Sequence, residues 1–284
     1  MQSRAMVDSH VHFWDPQTLD YPWLAGIPTL RRGFLPQDYS SDSASANISK
    51  MIFVECGCNP SQTLDEVKWV SKLALSEHRL RGIVARSSLE QGSEVAHELA
   101  ALAWFPLVKG VRRNVEDESA NFCIQPNFIA GVRELAHFDF SLDVCVRHHQ
   151  LPAVIELVRN CPEIRFVLDH CGKPDICNQR LDPWRQHIAS LASLPNIHCK
   201  ISGLLTEAKR KQWQLDDFKP YILHVLECFG SERIMIGGDW PVINLGGEYS
   251  QWCDVLRYCL DEVDDQSLDN IYRVTAESFY RLSS

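Results

Sequence analysis

Short apolar runs recur along the whole chain, most of them closed by a polar or glycine-rich break. They are "MVDSHVHF" from Met6, "KMIFVECG" from Lys50, "RLRGIVAR" from Arg79, "PLVKGVRR" from Pro106, "DFSLDVCV" from Asp139, "IRFVLDHCG" from Ile164, "NIHCKISGL" from Asn196 and "RIMIGGDWP" from Arg233. Each has the length and β-branched content of a buried strand. Between most of them lie stretches with helical periodicity. Examples are "SQTLDEVKWVSKLALSEH" and "FKPYILHVLECFG", the second preceded by Asp216-Asp217 and closed by Gly230. Strands alternating with helices predict an α/β chain, and eight of them a single (β/α)8 TIM-type barrel over residues 1–284. A doubly wound open sheet uses the same alternation, but no G-x-G-x-x-G follows the first strand and no G-x-x-x-x-G-K-[ST] occurs anywhere.

Residues 13–49, rich in Pro, Asp and Ser, read as a long loop after strand 1 that partly covers the barrel mouth. The closing stretch "LDNIYRVTAESFYRL" reads as an amphipathic helix with Ile271, Val274, Phe279 and Leu282 on its apolar side, expected to complete the outer ring.

Composition removes several classes of function. A net charge of −9 and a pI near 5.6 give no electrostatic footprint for nucleic acid, and no basic amphipathic stretch suggests an anionic membrane surface. No apolar run approaches the roughly 18 residues needed to span a bilayer, and "MQSRAMVDSH" lacks the apolar segment of a secretory signal, so the expected compartment is the cytoplasm. Small-molecule partners remain, with a monomer or homodimer expected. The eleven cysteines are scattered without the paired spacing of a zinc ribbon, and most read as buried thiols. Asn47-Ile48-Ser49 fits a glycosylation acceptor only by accident.

Working residues of such a barrel come from the C-terminal ends of its strands. Those ends carry His10 and His12, Glu55, Arg112 and Arg113, His170, Lys200 with Ser202, and Asp239. A lone strand histidine is more often a hydrogen-bonded structural residue than a ligand. His10 and His12, however, are separated by one valine, so strand alternation sends both imidazoles into the barrel interior, as a metal site or an electrophilic pocket. Asp239, between two glycines and a Trp-Pro pair, has little reason to be buried unless paired or catalytic. Glu55 could serve as a ligand or orient a histidine. Only one of Arg112 and Arg113 can face inward by alternation, and Arg112 shares parity with Gly110. His148 and His149 read as surface residues opening a helix.

"DSHVHFWDP", "FVECG", "KGVRR", "VLDHCGKP", "KISGL" and "IGGDWPV", in this order over nearly the whole chain, resemble the amidohydrolase superfamily and, within it, the branch of sugar-lactone hydrolases. The resemblance implies a (β/α)8 barrel, a hydrolytic water, and an aspartate at the end of strand eight as base, which falls on Asp239. It carries the histidine pair onto His10 and His12, the histidine of "DHCGKP" onto His170, and the strand-four arginine onto Arg112 or Arg113. Metal-dependent members of the superfamily add a histidine on strand five and a bridging lysine or glutamate on strand four. Here those strands offer "DVCV" and "KGVRR", which disfavours a binuclear centre. The resemblance therefore permits one divalent ion, zinc, or none, with His10, His12, Glu55, His170 and Asp239 as candidate ligands.

Opening a lactone needs a water deprotonated as it attacks, charge or donors near the carbonyl oxygen, and a proton for the departing alcohol. Asp239 would take and return the proton; His10, His12 and His170, or a metal they hold, would stabilise the oxyanion. No G-x-S-x-G elbow supplies a covalent serine. Arg112, Lys173, Trp240, Trp14, Tyr21 and Trp23 are the expected contacts for a neutral sugar lactone, since sugars offer hydroxyls to charged donors and apolar ring faces to aromatic rings. The rival readings are a lactone isomerase, a hydrolase of an anionic aromatic-pathway lactone, a metal-dependent amidase or deaminase, and a ligand-binding barrel without turnover.

Overall fold

The computed structural model describes residues 4–210 and 212–282. Its strands are β1 (Met6–Val11), β2 (Ile48–Val54), β3 (Leu80–Arg86), β4 (Val108–Arg112), β5 (Ser141–Val144), β6 (Phe166–Leu168), β7 (Ile197–Ile201) and β8 (Ile234–Ile236). They form one sheet in sequential order, each parallel to the next, which excludes the doubly wound alternative. Closure comes just past the ends of β1 and β8. Asp239 N donates to His10 O at 2.8 Å and His12 N to Trp240 O at 2.8 Å. This seam brings the H-x-H pair and the strand-eight aspartate side by side.

Each alternating stretch forms its helix, although shorter than its periodicity. Thr63–Leu73 and Lys219–Phe229 are the helical parts of the two stretches quoted above, and Gly230 ends the second at φ 70°. His148 and His149 open the turn before the helix Leu151–Asn160, as expected. Most of the cysteines are buried and none is paired. The long loop after β1 is more ordered than its composition suggests: it carries short turns and the helix Pro36–Asp42, and Trp14 pairs with Phe34 across it. Ile48 and Ser49 belong to β2 rather than to the loop.

The closing segment corrects its sequence reading. It breaks into Asp265–Asp269, a π-helical turn Asn270–Val274 and Thr275–Phe279, and it does not simply join the outer ring. Ala276, Phe279 and Tyr280 enter the barrel interior and pack with Val7, Ile52, Val54, Val84, Val167 and Met235. Arg165, just before β6, donates to Phe279 O in this plug and to Asp139 O near the start of β5, and Arg281 donates to Lys109 O in β4. The segment is therefore the barrel floor. Ile271 is buried, but Val274 is exposed, because the wider π turn rotates the helical face that 3.6-residue periodicity assigns to it.

Candidate active site

The C-terminal ends of the strands surround a cavity of about 450 Å³, within the size range of small-molecule sites. At its foot, His12, His170 and Asp239 face inward, with His10 just beneath and fully buried. Strand β1 delivers its two imidazoles through a register shift between Asp8 and Val11. Simple alternation would place Asp8 beside His10. Instead the irregularity turns Asp8 outward, where its carboxylate accepts from Tyr39 and Tyr249 hydroxyls at 2.8 Å each and from the backbone N–H of Gly238 and His10 at 2.7 and 3.1 Å. Asp8 thus pins β1 to the β8 loop just before Asp239.

Each imidazole is held through Nδ1. His12 Nδ1 lies 2.8 Å from Val54 O, His170 Nδ1 is 2.9 Å from Ser202 Oγ, and His10 Nδ1 is 3.3 Å from Asp169 Oδ1. The three Nε2 atoms then converge on a single oxygen: Asp239 Oδ1 is 3.2 Å from His12, 3.7 Å from His10 and 4.0 Å from His170. Burial pushes the His10 and His170 imidazoles below their ordinary pKa. For Asp239 burial acts upward, but the positive charge that His170, His12 and His10 can carry outweighs it and holds the carboxyl below the usual range. A shared proton or a cation between these nitrogens and the carboxylate oxygen satisfies both sides. The donor set is also the one a tetrahedral zinc site uses, with outer partners fixing each ring. His10, His170 and Asp239 offer ligand atoms close enough for one ion, so the residues fit a single metal. One qualification is built in: Arg112 Nη1 lies 3.4 Å from His10 Nε2 and competes for that lone pair.

The backbone is strained here. His170, Cys171 and Asp239 all have φ near 53°, and Gly203 has φ 63°. A Cβ on Gly203 would stand 2.6 Å from His170 Nδ1 and 3.0 Å from Asp239 Oδ2, so only glycine lets the β7 loop pass behind these two side chains.

Glu55 does not reach this ligand set. Its Oε1 accepts from Arg112 Nε at 2.8 Å and its Oε2 from Gly57 N at 2.7 Å, so both oxygens are engaged. Burial raises the Glu55 pKa, but Arg112 more than cancels that effect, and the carboxylate stays charged. Glu55 is the holder of Arg112, and its candidacy as a metal ligand is corrected. Arg112 is the inward residue that parity selects, yet Arg113 also lines the cavity, tied at the mouth to Glu90 and Glu118.

The long loop supplies Trp14 and Trp23, rings 5.3 Å apart, whose indole N–H groups are spent on Arg32 O and Cys56 O; Trp14 is fully buried and backs the half-buried Trp23, whose apolar ring stands at the cavity. Two other expected contacts are corrected. Trp240 is fully buried among Phe13, Phe34 and Tyr39 and donates to Asp42, because its backbone pairs with β1 in the seam between β8 and β1. Tyr21 is turned behind β2 toward Glu66 and does not line the cavity. Lys173 does line it.

Three functional carboxylates were missed. Asp169 stands directly before His170, with Oδ1 3.3 Å from His10 Nδ1; Asp143 lies on β5 against Lys200; Glu116 pairs with Lys173 at the rim. A charged residue inside an apolar strand run, as in "SLDVCV" and "FVLDHC", was the available signal. Cys145, Asp169 and His170 form a second group near enough to share an ion. Asp169 is already matched by Lys200 at 3.1 Å and Arg112 at 3.5 Å, so another cation there would meet two positive neighbours.

Known proteins share this chain's sequence and fold over most of its length. The chain is 28% identical over 282 residues to an L-fucono-1,5-lactonase of Burkholderia ambifaria, covering 97% of this chain and 95% of that protein. It is 32% identical over 261 residues to an L-fucono-1,5-lactonase of Burkholderia multivorans, covering 86% and 85%. The crystal structure of an amidohydrolase from Burkholderia multivorans with bound zinc superposes with a TM-score of 0.88 at 29% identity, covering 99% of this chain and all of that one. The amidohydrolase family model matches residues 7–282, from the first strand through the barrel floor, and the chain belongs to that family.

Proposed function

We propose that this chain, as a single catalytic unit, hydrolyses a neutral sugar lactone, an aldonolactone such as an L-fuconolactone, to the free sugar acid. The observation that carries the reading is the convergence of three imidazole Nε2 atoms on Asp239 Oδ1 at the foot of a cavity whose cations are all already matched. Arg112 faces Glu55 and Asp169, Arg113 faces Glu90 and Glu118, and Lys173 faces Glu116 and Glu207. Among the described residues no lining cation is left to neutralise a dicarboxylate, while Trp23, backed by Trp14, offers an apolar ring to a sugar. The names of the two relatives point the same way.

Asp239, ionised at neutral pH, takes a proton from the water that attacks the lactone carbonyl. The imidazoles around it hold that water and the developing oxyanion in place. As the ring C–O bond breaks, Asp239 returns the proton to the departing ring oxygen, so water is consumed and one carboxylic acid and one alcohol result. His10, His12, His170 and Asp239 would hold one divalent ion, zinc by donor type. Such an ion polarises a carbonyl and lowers the pKa of water. The test is proton release in weak buffer on a panel of 1,4- and 1,5-lactones of six-carbon sugar acids, with elemental analysis of the same preparation. Turnover of at least one neutral sugar lactone and at most one equivalent of metal are expected. A folded enzyme inactive on all of them yet active on a dicarboxylate lactone overturns the reading.

A further inference from the structure

Glu116 and Lys173 line the cavity, and Glu207 stands behind Lys173, so that three charged side chains from three different loops lie together. Glu116 follows β4, Lys173 follows β6, and Glu207 ends the short helix Leu204–Glu207 after β7. Lys173 Nζ lies 2.7 Å from Glu116 Oε1 and 3.7 Å from Glu207 Oε1. All three side chains are mostly buried, between 12 and 19% exposed. The Cys145 thiol donates to Glu116 Oε1 at 2.9 Å and Arg147 approaches Oε2 at 3.4 Å, so the Glu116 carboxylate is fixed from behind. The Lys173 main chain is equally constrained: its N–H reaches His170 O at 2.9 Å and its carbonyl meets His148 Nδ1 at 3.1 Å. This places the ammonium one turn of backbone from a residue at the foot of the cavity.

We propose that Glu116, Lys173 and Glu207 form a hydroxyl-reading subsite that selects lactones bearing adjacent ring hydroxyls and repels lactones bearing a carboxylate. The inference rests on the lactone reading above and names the part of the substrate that this wall recognises. A hydroxyl both donates and accepts, and a row alternating carboxylate, ammonium and carboxyl offers each hydroxyl of a vicinal pair one partner of each kind. An ammonium has three N–H donors, and Glu116 engages one of them while Glu207 stands 3.7 Å away. An anion arriving at Lys173 meets a carboxylate on each side of the ammonium. Burial pushes the Glu116 carboxyl up, but Lys173 outweighs it and keeps the group ionised at neutral pH. A site built to hydrogen-bond a hydroxyl rejects the analogue lacking it far more strongly than an apolar pocket could, because its polar groups are then left unpaired.

The experiment compares kcat/KM for a polyhydroxylated 1,5-sugar lactone, the unsubstituted six-membered lactone and a six-membered lactone carrying one carboxylate, in wild type, Glu116→Gln and Lys173→Met. Thermal melting checks folding in each. Wild type should prefer the hydroxylated lactone. Glu116→Gln should reduce that preference at least tenfold, mainly through KM, and should gain on the carboxylated lactone, a gain that structural damage does not produce. Lys173→Met should reduce the preference without the gain. A folded Glu116→Gln enzyme that loses the same factor on the hydroxylated and unsubstituted lactones overturns the subsite while leaving the lactonase intact. A wild type inactive on all three removes both readings together.

Discussion

Two layers of charge lie one above the other inside this barrel, and they obey opposite rules. In the lower layer, which runs from Glu55 and Arg112 in the cavity wall down to Tyr280 on the floor, opposite charges face each other: Glu55 meets Arg112, Arg112 and Lys200 meet Asp169, and Lys200 meets Asp143, which also accepts from the Tyr280 hydroxyl at 2.8 Å. In the upper layer, at the foot of the cavity, a carboxylate faces three imidazole nitrogens from residues with left-handed or irregular backbone. Pairing of the first kind holds a fold together. The second kind is stable only with a proton, a cation or a substrate between the partners, which is the signature of a site that does chemistry.

Exchanging Asp239 for asparagine breaks the upper layer alone. The amide keeps the shape and can accept from a protonated imidazole, but it cannot take a proton from water. Turnover should fall by about two to four orders of magnitude. Retention of more than a tenth of the wild-type rate by a folded variant would take Asp239 out of the role of base.

Lys200→Met does the converse. It leaves Asp143 and Asp169 buried with one cation fewer, and breaking a buried pair in this way costs about 3–5 kcal/mol. Urea unfolding should show the loss, and adding Asp143→Asn should restore part of it. Burial, helped by neighbouring Asp169, already raises the Asp143 pKa to about 6 despite Lys200, so this acid is the one that most easily gives up its charge. If the double variant is no more stable than Lys200→Met, the lower layer is not organised by charge pairing.

The upper layer was the more legible from sequence. H-x-H in an apolar run and an aspartate between glycines and Trp-Pro are each hard to explain as packing, and the eight runs placed both at strand ends. The lower layer was half visible. Lys200 and Arg112 announce themselves, but their partners Asp143 and Asp169 sit one residue from the eye-catching positions, and only knowledge of which strands are neighbours across the barrel pairs them. Trp240 misled because a tryptophan beside a catalytic aspartate can pack either way, and the β8 to β1 seam turns it into the aromatic cluster. Val274 misled because a π turn changes the helical period, which the residue pattern does not announce.

The smallest effect comes from an acid outside both layers. Glu66, in the first turn of Thr63–Leu73, is buried, accepts from Cys56 N at 3.3 Å and forms no ion pair among the described residues. Burial, then the charge of Glu55, raises its pKa to about 8 from 4.5. The native chain therefore keeps a proton on Glu66 that the unfolded chain releases above pH 4.5. Between those two values the native state binds more protons, so stability falls as pH rises, by about 1.4 kcal/mol per pH unit from this group. Above pH 8 the contribution levels off, and below 4.5 it vanishes. Unfolding free energies at pH 6 and pH 7 should differ by roughly that amount between wild type and Glu66→Gln, with the variant showing the flatter slope, because glutamine keeps the neutral shape and does not titrate. An unchanged slope in the variant would mean that Glu66 stays charged in the folded chain. It would then extend the rule of the lower layer, with a cation or water shell holding the charge behind β2, and the buried acid without a partner would disappear as a third class.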